Sequence, residues 1–138
     1  MTTLLHISDL HFGPPYVERA GEALLRIAPQ LGADGIVISG DFTQRAKREQ
    51  FAQAREFIGR LPPLPQIKVP GNHDVPLYRV WERLTRPRAL YQQYIQHELD
   101  TVTRVGDAVV VALDSSSPRT AITEGWLNLA DDCARAGK

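Results

Sequence analysis

Three short polar clusters in the first half of the chain combine residue types that can bind metal ions and transfer protons. They are Asp9-Leu10-His11, Gly40-Asp41 and Gly71-Asn72-His73-Asp74. Mixed nitrogen and oxygen ligands of this kind suit ions such as Mn, Fe or Zn, and a histidine that titrates near neutral pH suits proton transfer. Singly, each cluster is weak evidence, because Asp and Asn also favour ordinary turns at strand ends.

Each cluster directly follows a short apolar run that predicts a β-strand. The runs are LLHIS (4–8), GIVIS (35–39) and QIKVP (66–70), and a fourth, VVVAL (109–113), leads into Asp114. Near-continuous apolar runs suit strands buried on both faces of a sheet. Ligands of an open α/β sheet bind beyond the carboxyl ends of its strands, so the position of the clusters favours a functional site.

Apolar residues at helical spacing separate these strands. The helical segments are 17–31, 51–61, 76–99 and a last one from about 123 onward. Gly32 and the proline-rich stretch 62–65 end the first two, and Pro87 breaks the third. The alternating run 101–105 predicts a hairpin with 109–113. Strands that alternate with helices predict an α/β fold built on a mostly parallel sheet.

Local geometry predicts how the polar groups face the sheet edge. Asp9 and His11 are two residues apart, so both point to the same side if the first strand continues through them. Residues 69–72 fit a type II turn, with Pro at the second position and Gly at the third. Such a turn would fold Asn72 and His73 back over the strand end.

The ordered clusters resemble the first three signature blocks of the calcineurin-like metallophosphoesterase superfamily. LLHISDLHFG, GIVISGDFTQ and VPGNHD match those blocks nearly letter for letter, and the resemblance is strong over residues 4–78. It is closest to the bacterial phosphodiesterase branch that includes class III cyclic-nucleotide phosphodiesterases. The resemblance implies the first half of a four-layer α/β/β/α sandwich, with a mostly parallel sheet, flanking helices and a late hairpin.

The resemblance also implies a metal centre with two divalent or trivalent ions, which would be Mn, Fe or Zn. Asp9 and His11 would bind the first ion, Asp41 would bridge both ions, and Asn72 would bind the second ion and contact the substrate. A hydroxide that bridges the two ions would attack the phosphorus of a phosphodiester. The implied substrate is a small phosphoester, with cyclic nucleotides, glycerophosphodiesters and other phosphodiesters all open.

The implied catalytic residues are Asp41 and His73, and Arg45 is implied to bind phosphate. His73 would stabilise or protonate the leaving oxygen. Many relatives carry an acid that orients this histidine, at the position where this chain has Gln44. We expect either Asp74 to take over that role or Gln44 to bond the ring without charge. The alternative to phosphate binding is that the Arg45 side chain is merely solvated at the start of a helix.

The histidine count departs from the family pattern. The family completes its site with later histidines, including a Gly-His-x-His motif, and this chain has four histidines and no Gly-His pair. We expect His6 in the core and His97 on a helix surface. Residues 1–138 are therefore interpreted as a single incomplete metallophosphoesterase domain, weakly active by itself. The alternative is a truncated or remnant domain that acts as a non-catalytic binding or scaffold element.

Composition narrows the classes of function and cellular location that remain open. Hydrophobic residues make up 43% of the 138 and charged residues 23%, which indicates a folded domain. Sixteen basic and sixteen acidic residues give zero net charge, which argues against binding to nucleic acid or to an anionic membrane. The single Cys133, the absence of a membrane-spanning run and the absence of a signal-peptide pattern favour a cytoplasmic protein.

The interpretation as an incomplete domain also predicts that copies of the chain associate. The missing second sheet would leave apolar side chains of 4–8, 35–39 and 109–113 without cover from the same chain. Large exposed apolar patches mark interfaces in soluble proteins. We therefore expect a homo-oligomer, formed by burial of this face or by exchange of the hairpin between copies.

Overall fold

The computed structural model describes residues 1–116, which form a mixed α/β fold. Five strands are β1 (Leu4–Ser8), β2 (Gly35–Ser39), β3 (Gln66–Val69), β4 (Thr101–Val105) and β5 (Ala108–Ala112). Four helices are α1 (Glu18–Ile27), α2 (Arg48–Gly59), α3 (Val80–Thr85) and α4 (Ala89–Tyr94). Short 3-10 turns cover Ala28–Gln30 and Asn72–Asp74. Within residues 1–116 no helix is both long and apolar enough to cross a bilayer.

The first three strands form one parallel sheet in the order β1-β2-β3. Ile7 is paired with Ile38, and Ile38 with Lys68 on the next strand. The register places the carboxyl ends of all three strands at one edge of the sheet. The predicted architecture, a parallel sheet with flanking helices, is confirmed.

One face of this sheet packs against the helices and forms the main core. Ile7, Ile36 and Ile38 point to this face and are almost fully buried. Phe51 and Phe57 of α2 belong to the same buried cluster. Because apolar residues recur at a spacing of three to four along α2, one side of that helix covers the sheet.

The hairpin of β4 and β5 covers part of the opposite face. Val105 and Ala112 form a second buried cluster with Ile67, which is 1% exposed. A β-carbon placed on Gly35 would lie 2.9 Å from Cγ1 of Val105, so the glycine lets the hairpin approach β2 closely. The expectation that this face has no cover from the same chain is therefore wrong for β2.

The expectation of burial on both faces is wrong for β1. Leu4 is 37% exposed, and His6 is exposed rather than in the core. The His6 ring forms a hydrogen bond of 2.7 Å with Oγ of Ser39 on the neighbouring strand. The physical reason is that β1 is an edge strand, whereas the apolar contacts of the hairpin are with β2 and β3.

The observed helices agree with the predicted helical segments, apart from local differences. The third predicted segment is two short helices, α3 and α4, and Pro87 lies between them as expected. Gly32 follows the first helical segment with a φ of +61°, which is typical of a helix-terminating glycine. His97 is exposed as predicted, but it lies after the end of α4 and not on a helix. The predicted helix from Thr123 and Cys133 lie outside the described residues.

Candidate metal centre

Main-chain hydrogen bonds beyond the strand ends hold the polar segments together. The N–H of His11 donates to the carbonyl of Asp41 at 2.9 Å, so the chain after β1 runs beside the chain after β2. The N–H of Gly40 donates to the carbonyl of Val69 at 3.1 Å and ties this segment to the end of β3. The three polar clusters thus meet at one edge of the sheet.

The backbone of Asp9 and His11 departs from the predicted geometry. β1 ends at Ser8, and both residues adopt left-handed conformations, with φ of +53° and +50°. The first strand therefore does not continue through them, and the condition for two side chains on the same side of a strand is not met. The two side chains nevertheless approach each other, since Oδ1 of Asp9 lies 3.9 Å from Nε2 of His11. Left-handed backbone costs about 1–2 kcal/mol per residue, which the surrounding contacts must offset.

His11, Asp41 and His73 form a compact group of metal-ligand atoms. One ligand atom from each residue lies within 4.8 Å of the other two. Nε2 of His11 is 3.5 Å from Oδ2 of Asp41, and the His11 and His73 rings meet edge to face with centroids 5.0 Å apart. The Asp41 carboxylate is buried, whereas both rings are partly accessible.

Gly71 allows the approach of Asp41 to the turn at 72–74. A β-carbon on Gly71 would lie 2.1 Å from Oδ1 of Asp41 and 2.6 Å from its main-chain nitrogen. The N–H of His73 donates to the same Oδ1 at 2.8 Å. Gly71 has φ of −107° and ψ of −177°, so the predicted type II turn is wrong, because that turn needs a positive φ here. Close packing, not turn geometry, requires this glycine.

Asp9 and Asn72 lie at the margins of the three-residue group. The Asp9 side chain is 59% exposed and approaches the His11 ring. Asn72 begins the 3-10 turn that contains His73 and is half-buried. Both amide and carboxylate oxygens are suitable metal ligands, and these two sit on opposite sides of Asp41 along the sheet edge.

A main-chain carbonyl orients the His73 ring. Nδ1 of His73 lies 2.9 Å from the carbonyl oxygen of Gln44. A carbonyl can only accept a hydrogen bond, so Nδ1 carries the proton and Nε2 keeps its lone pair in the neutral ring. Of the two expected partners, Gln44 bonds the ring without charge, whereas Asp74 binds elsewhere. The bond uses the main-chain carbonyl of Gln44, which any residue type at this position could provide.

Asp74 joins the loop after β2 to the turn after β3. One of its oxygens accepts from the N–H groups of Phe42 and Gly71, at 3.1 and 3.0 Å. The other accepts from the N–H and the hydroxyl of Thr43, both at 2.9 Å. Asp74 is 2% exposed. Burial raises the pKa of this carboxyl to about 7, and its hydrogen bonds oppose that rise.

The comparison with protein-family models agrees with this geometry. The model that describes calcineurin-like phosphoesterases matches residues 2–129. The chain belongs to the calcineurin-like phosphoesterase family. No curated protein matches the sequence. The family match covers calcineurin-like phosphoesterases as a whole. The narrower assignment to the bacterial phosphodiesterase branch stays a prediction.

The donor atoms of this phosphoesterase suit divalent metal ions, which its family implies. The group combines two imidazoles with one buried carboxylate, a ligand mixture that favours Mn, Fe or Zn over Mg or Ca. Nδ1 of His11 is buried and has no hydrogen-bond partner among residues 1–116. A purely structural histidine would normally have such a partner. The residues present therefore fit a metal centre, and the chain is a metal-dependent hydrolase domain for phosphoric esters.

The predicted phosphate-binding Arg45 lies outside the three-residue group. It is exposed in the loop before α2, and its guanidinium makes one long hydrogen bond of 3.5 Å to the Gln44 carbonyl. It does, however, line the same small cavity as Asn72 and His73. The phosphoesterase thus presents a cationic side chain on the His73 side of its metal centre.

Proposed function

We propose that this chain hydrolyses phosphodiesters at a centre of two metal ions, as in the bacterial phosphodiesterase branch that it resembles. The observation that carries the proposal is the approach of the His11 and Asp41 ligand atoms at the strand ends, with a ring nitrogen of His73 within 4.8 Å of both. Asp9 and Asn72 extend the donor set on either side. When bound, the two ions would activate water and withdraw charge from the phosphoryl oxygens.

Asp41 has the central position in this proposal. Its Oδ1 accepts the His73 N–H, while its Oδ2 faces the His11 ring. The two oxygens therefore point toward different parts of the donor set, as a carboxylate between two ions requires. Asp41 is buried at 6% exposure, and its hydrogen bond holds the carboxylate in one orientation.

His73 is assigned to the leaving oxygen of the substrate. Its Nδ1–H is occupied by the Gln44 carbonyl, so Nε2 is the nitrogen available for the reaction. In the protonated ring, Nε2–H can donate to an oxygen that develops negative charge. The same orienting bond holds the ring in place without a second carboxylate.

A non-catalytic metal-binding or scaffold role is the second candidate. It is favoured by the small number of histidines: His6 bonds to Ser39 within the sheet, and His97 is exposed beyond α4. Neither belongs to the group around Asp41. For this reason we expect the isolated 138-residue chain to be a slow catalyst.

The experiment measures metal binding and hydrolysis on the same protein. Mn²⁺ and Zn²⁺ binding is titrated by calorimetry, and bis-p-nitrophenyl phosphate hydrolysis is followed with each ion. We expect slow, metal-dependent hydrolysis, lowered about 100-fold or more by Asp41→Asn or His73→Gln. The exposed Asp34→Asn and His97→Gln are matched controls and should leave both measurements unchanged.

The outcomes separate the two candidates. Metal binding that Asp41→Asn abolishes, with no hydrolysis above the control without metal, supports the scaffold role. Hydrolysis that persists in Asp41→Asn would contradict the proposed centre. Fast hydrolysis by the isolated chain would contradict our expectation of a weak catalyst, unless a second copy supplies the missing ligands.

A further inference from the structure

A cleft of about 500 Å³ lies next to the small cavity that contains His73. Its charged and aromatic lining residues are Arg45, Lys47, Arg48, Glu49, Tyr78 and Arg79. Arg45 and Leu77 line both the cleft and the His73 cavity. The two spaces are therefore neighbours.

The cleft is strongly cationic although the whole chain has zero net charge. Four of its lining side chains are basic and one is acidic. Lys47 and Arg48 are exposed and make no ion pair with any of residues 1–116. Arg79 is partly neutralised, because it pairs with Glu82 at 3.1 Å. Local positive charge without internal partners favours an anionic ligand.

Hydrogen bonds hold the segments that carry these cations. Oε1 of Gln50 accepts the N–H of Arg45 at 2.9 Å and approaches the N–H of Lys47 at 3.5 Å. Arg48 begins the 12-residue helix α2, whose amino-terminal end adds partial positive charge to the same place. Arg79 fixes the other wall, since it donates to the Ala46 carbonyl.

Tyr78 provides a flat surface in the cleft. Its side chain is among the most accessible large residues of residues 1–116, at 77% exposure. An exposed aromatic ring beside arginines can stack on a planar ligand group, and the arginines can contact phosphate in two places. The combination suits a ligand that carries both a ring and an anionic group.

We infer that the cleft binds the leaving group of the substrate, and that this group carries an aromatic ring and a second phosphate, as a nucleoside monophosphate does. The inference rests on the proposed function in one respect, which is the placement of the reacting phosphorus beside His73. Hydrolysis adds a water oxygen to phosphorus and breaks its bond to the leaving oxygen, which takes up a proton. The second phosphate is not altered and serves recognition only.

The test measures binding of the released product class without metal. Adenosine 5′-monophosphate, adenosine and inorganic phosphate are titrated in EDTA, and backbone amide NMR shifts locate the contacts. We expect the monophosphate to bind at least about tenfold more tightly than either fragment, since each contributes its own contacts. Shifts should concentrate at Tyr78, Arg48 and His73.

Charge reversal and ring removal test the assigned residues. Lys47→Glu and Arg48→Glu should each weaken monophosphate binding about tenfold, which corresponds to a charge-assisted contact of roughly 1.4 kcal/mol. Tyr78→Ala should weaken the binding of the monophosphate and of adenosine by a similar factor. Arg55→Glu, an exposed arginine of α2 that does not line the cleft, is the matched control and should have no effect.

The result that would overturn the inference is equal binding of monophosphate by the parent chain and by both charge-reversal variants. Tighter binding of a short single-stranded oligonucleotide than of the monophosphate would also overturn it, in favour of an extended nucleic-acid surface. Because the titrations contain EDTA, their outcome does not depend on the metal centre. Loss of metal binding with intact monophosphate binding would therefore contradict the proposed function alone.

Discussion

Gly71 shows how one residue determines the position of the central carboxylate. The space that a side chain would occupy at Gly71 is taken by Asp41, whose Oδ1 lies 2.1 Å from the ideal β-carbon position. That separation is far shorter than a non-bonded contact between carbon and oxygen. The backbone of Gly71 is not left-handed, so an alanine there is excluded by its contact with Asp41 and not by its conformation.

Gly71→Ala should displace Asp41 and weaken metal binding at least about tenfold, because misplaced ligands lose affinity on that scale. Calorimetric titration with Zn²⁺ checks this. The matched control is Gly59→Ala at the end of α2, where a β-carbon meets nothing within 4 Å. That substitution should stabilise the fold by about 0.4–1 kcal/mol. Unchanged metal affinity in Gly71→Ala would contradict the placement of Asp41.

The Asp74 carboxyl should make stability depend on pH. Burial raises its pKa to about 7 in the folded chain, against about 3.9 in an unfolded one. The folded state therefore binds the proton more tightly, and this contribution to stability is complete below pH 4 and lost as the pH rises through 7.

The measurement compares urea unfolding of the parent chain and of Asp74→Asn between pH 4 and pH 8. The difference in unfolding free energy, parent minus variant, should decrease as the pH rises from 4 to 7 and then level off. Asn cannot titrate, so the variant removes this contribution and leaves the other groups in place. A difference that increases with pH would mean that the four hydrogen bonds to Asp74 lower its pKa more than burial raises it.

At the scale of elements, hydrogen bonds join two loops that follow different strands of the sheet. The loop after β2 offers the N–H groups of Phe42 and Thr43, and the turn after β3 provides Asp74 as their acceptor. Asp41 and His73 lie on these same two segments. The Asp74 bonds therefore keep a predicted metal ligand and a predicted catalytic residue at a constant separation.

Asp74→Ala should lower the unfolding free energy by at least about 2 kcal/mol, because it leaves buried N–H groups without acceptors. It should also weaken metal binding, since the two loops are no longer joined. Asp34→Ala is the control: Asp34 is exposed and accepts one hydrogen bond, from the Thr3 N–H. The decrease in unfolding free energy caused by Asp34→Ala should stay below about 1 kcal/mol. Similar costs for the two variants would contradict the bridging role of Asp74.

At the scale of the whole molecule, the hairpin presents a mostly apolar outer surface. Val102, Val109 and Val111 are 48–53% exposed on the outer face of the β4–β5 ribbon, where Arg104 lies opposite Val109. Their inner-face neighbours Val105 and Ala112 are buried against the sheet. Edge strands and apolar faces of this kind favour association. We therefore propose that the chain forms homo-oligomers through this face.

The proposal predicts a concentration-dependent increase in mass at low micromolar concentration, measured by sedimentation equilibrium. The double substitution Val109→Lys and Val111→Lys should shift the chain toward monomer, because it places charge on the outer face of β5. Val17→Lys, an exposed valine outside the hairpin, should not shift it. A parent chain that stays monomeric at all concentrations would contradict the proposal.

The local features of this protein could be predicted from the sequence. Strands 4–8 and 35–39, the two first helices, the break at Pro87 and the hairpin all follow from apolar periodicity and from proline and glycine, which act within a few residues. The order of the three polar clusters also predicted that they meet at one sheet edge, because parallel strands place their carboxyl ends together.

Contacts between distant segments decided the rest. Contacts between residues about 30 positions apart accompany the left-handed backbone of Asp9 and His11, the crowding at Gly71 and the carbonyl partner of His73. No local pattern encodes them, because they depend on how the loops pack after the sheet has formed. His6 is exposed for the same reason. Its apolar neighbours predict a core strand, and only the placement of the hairpin over β2 and β3 leaves β1 uncovered on that face.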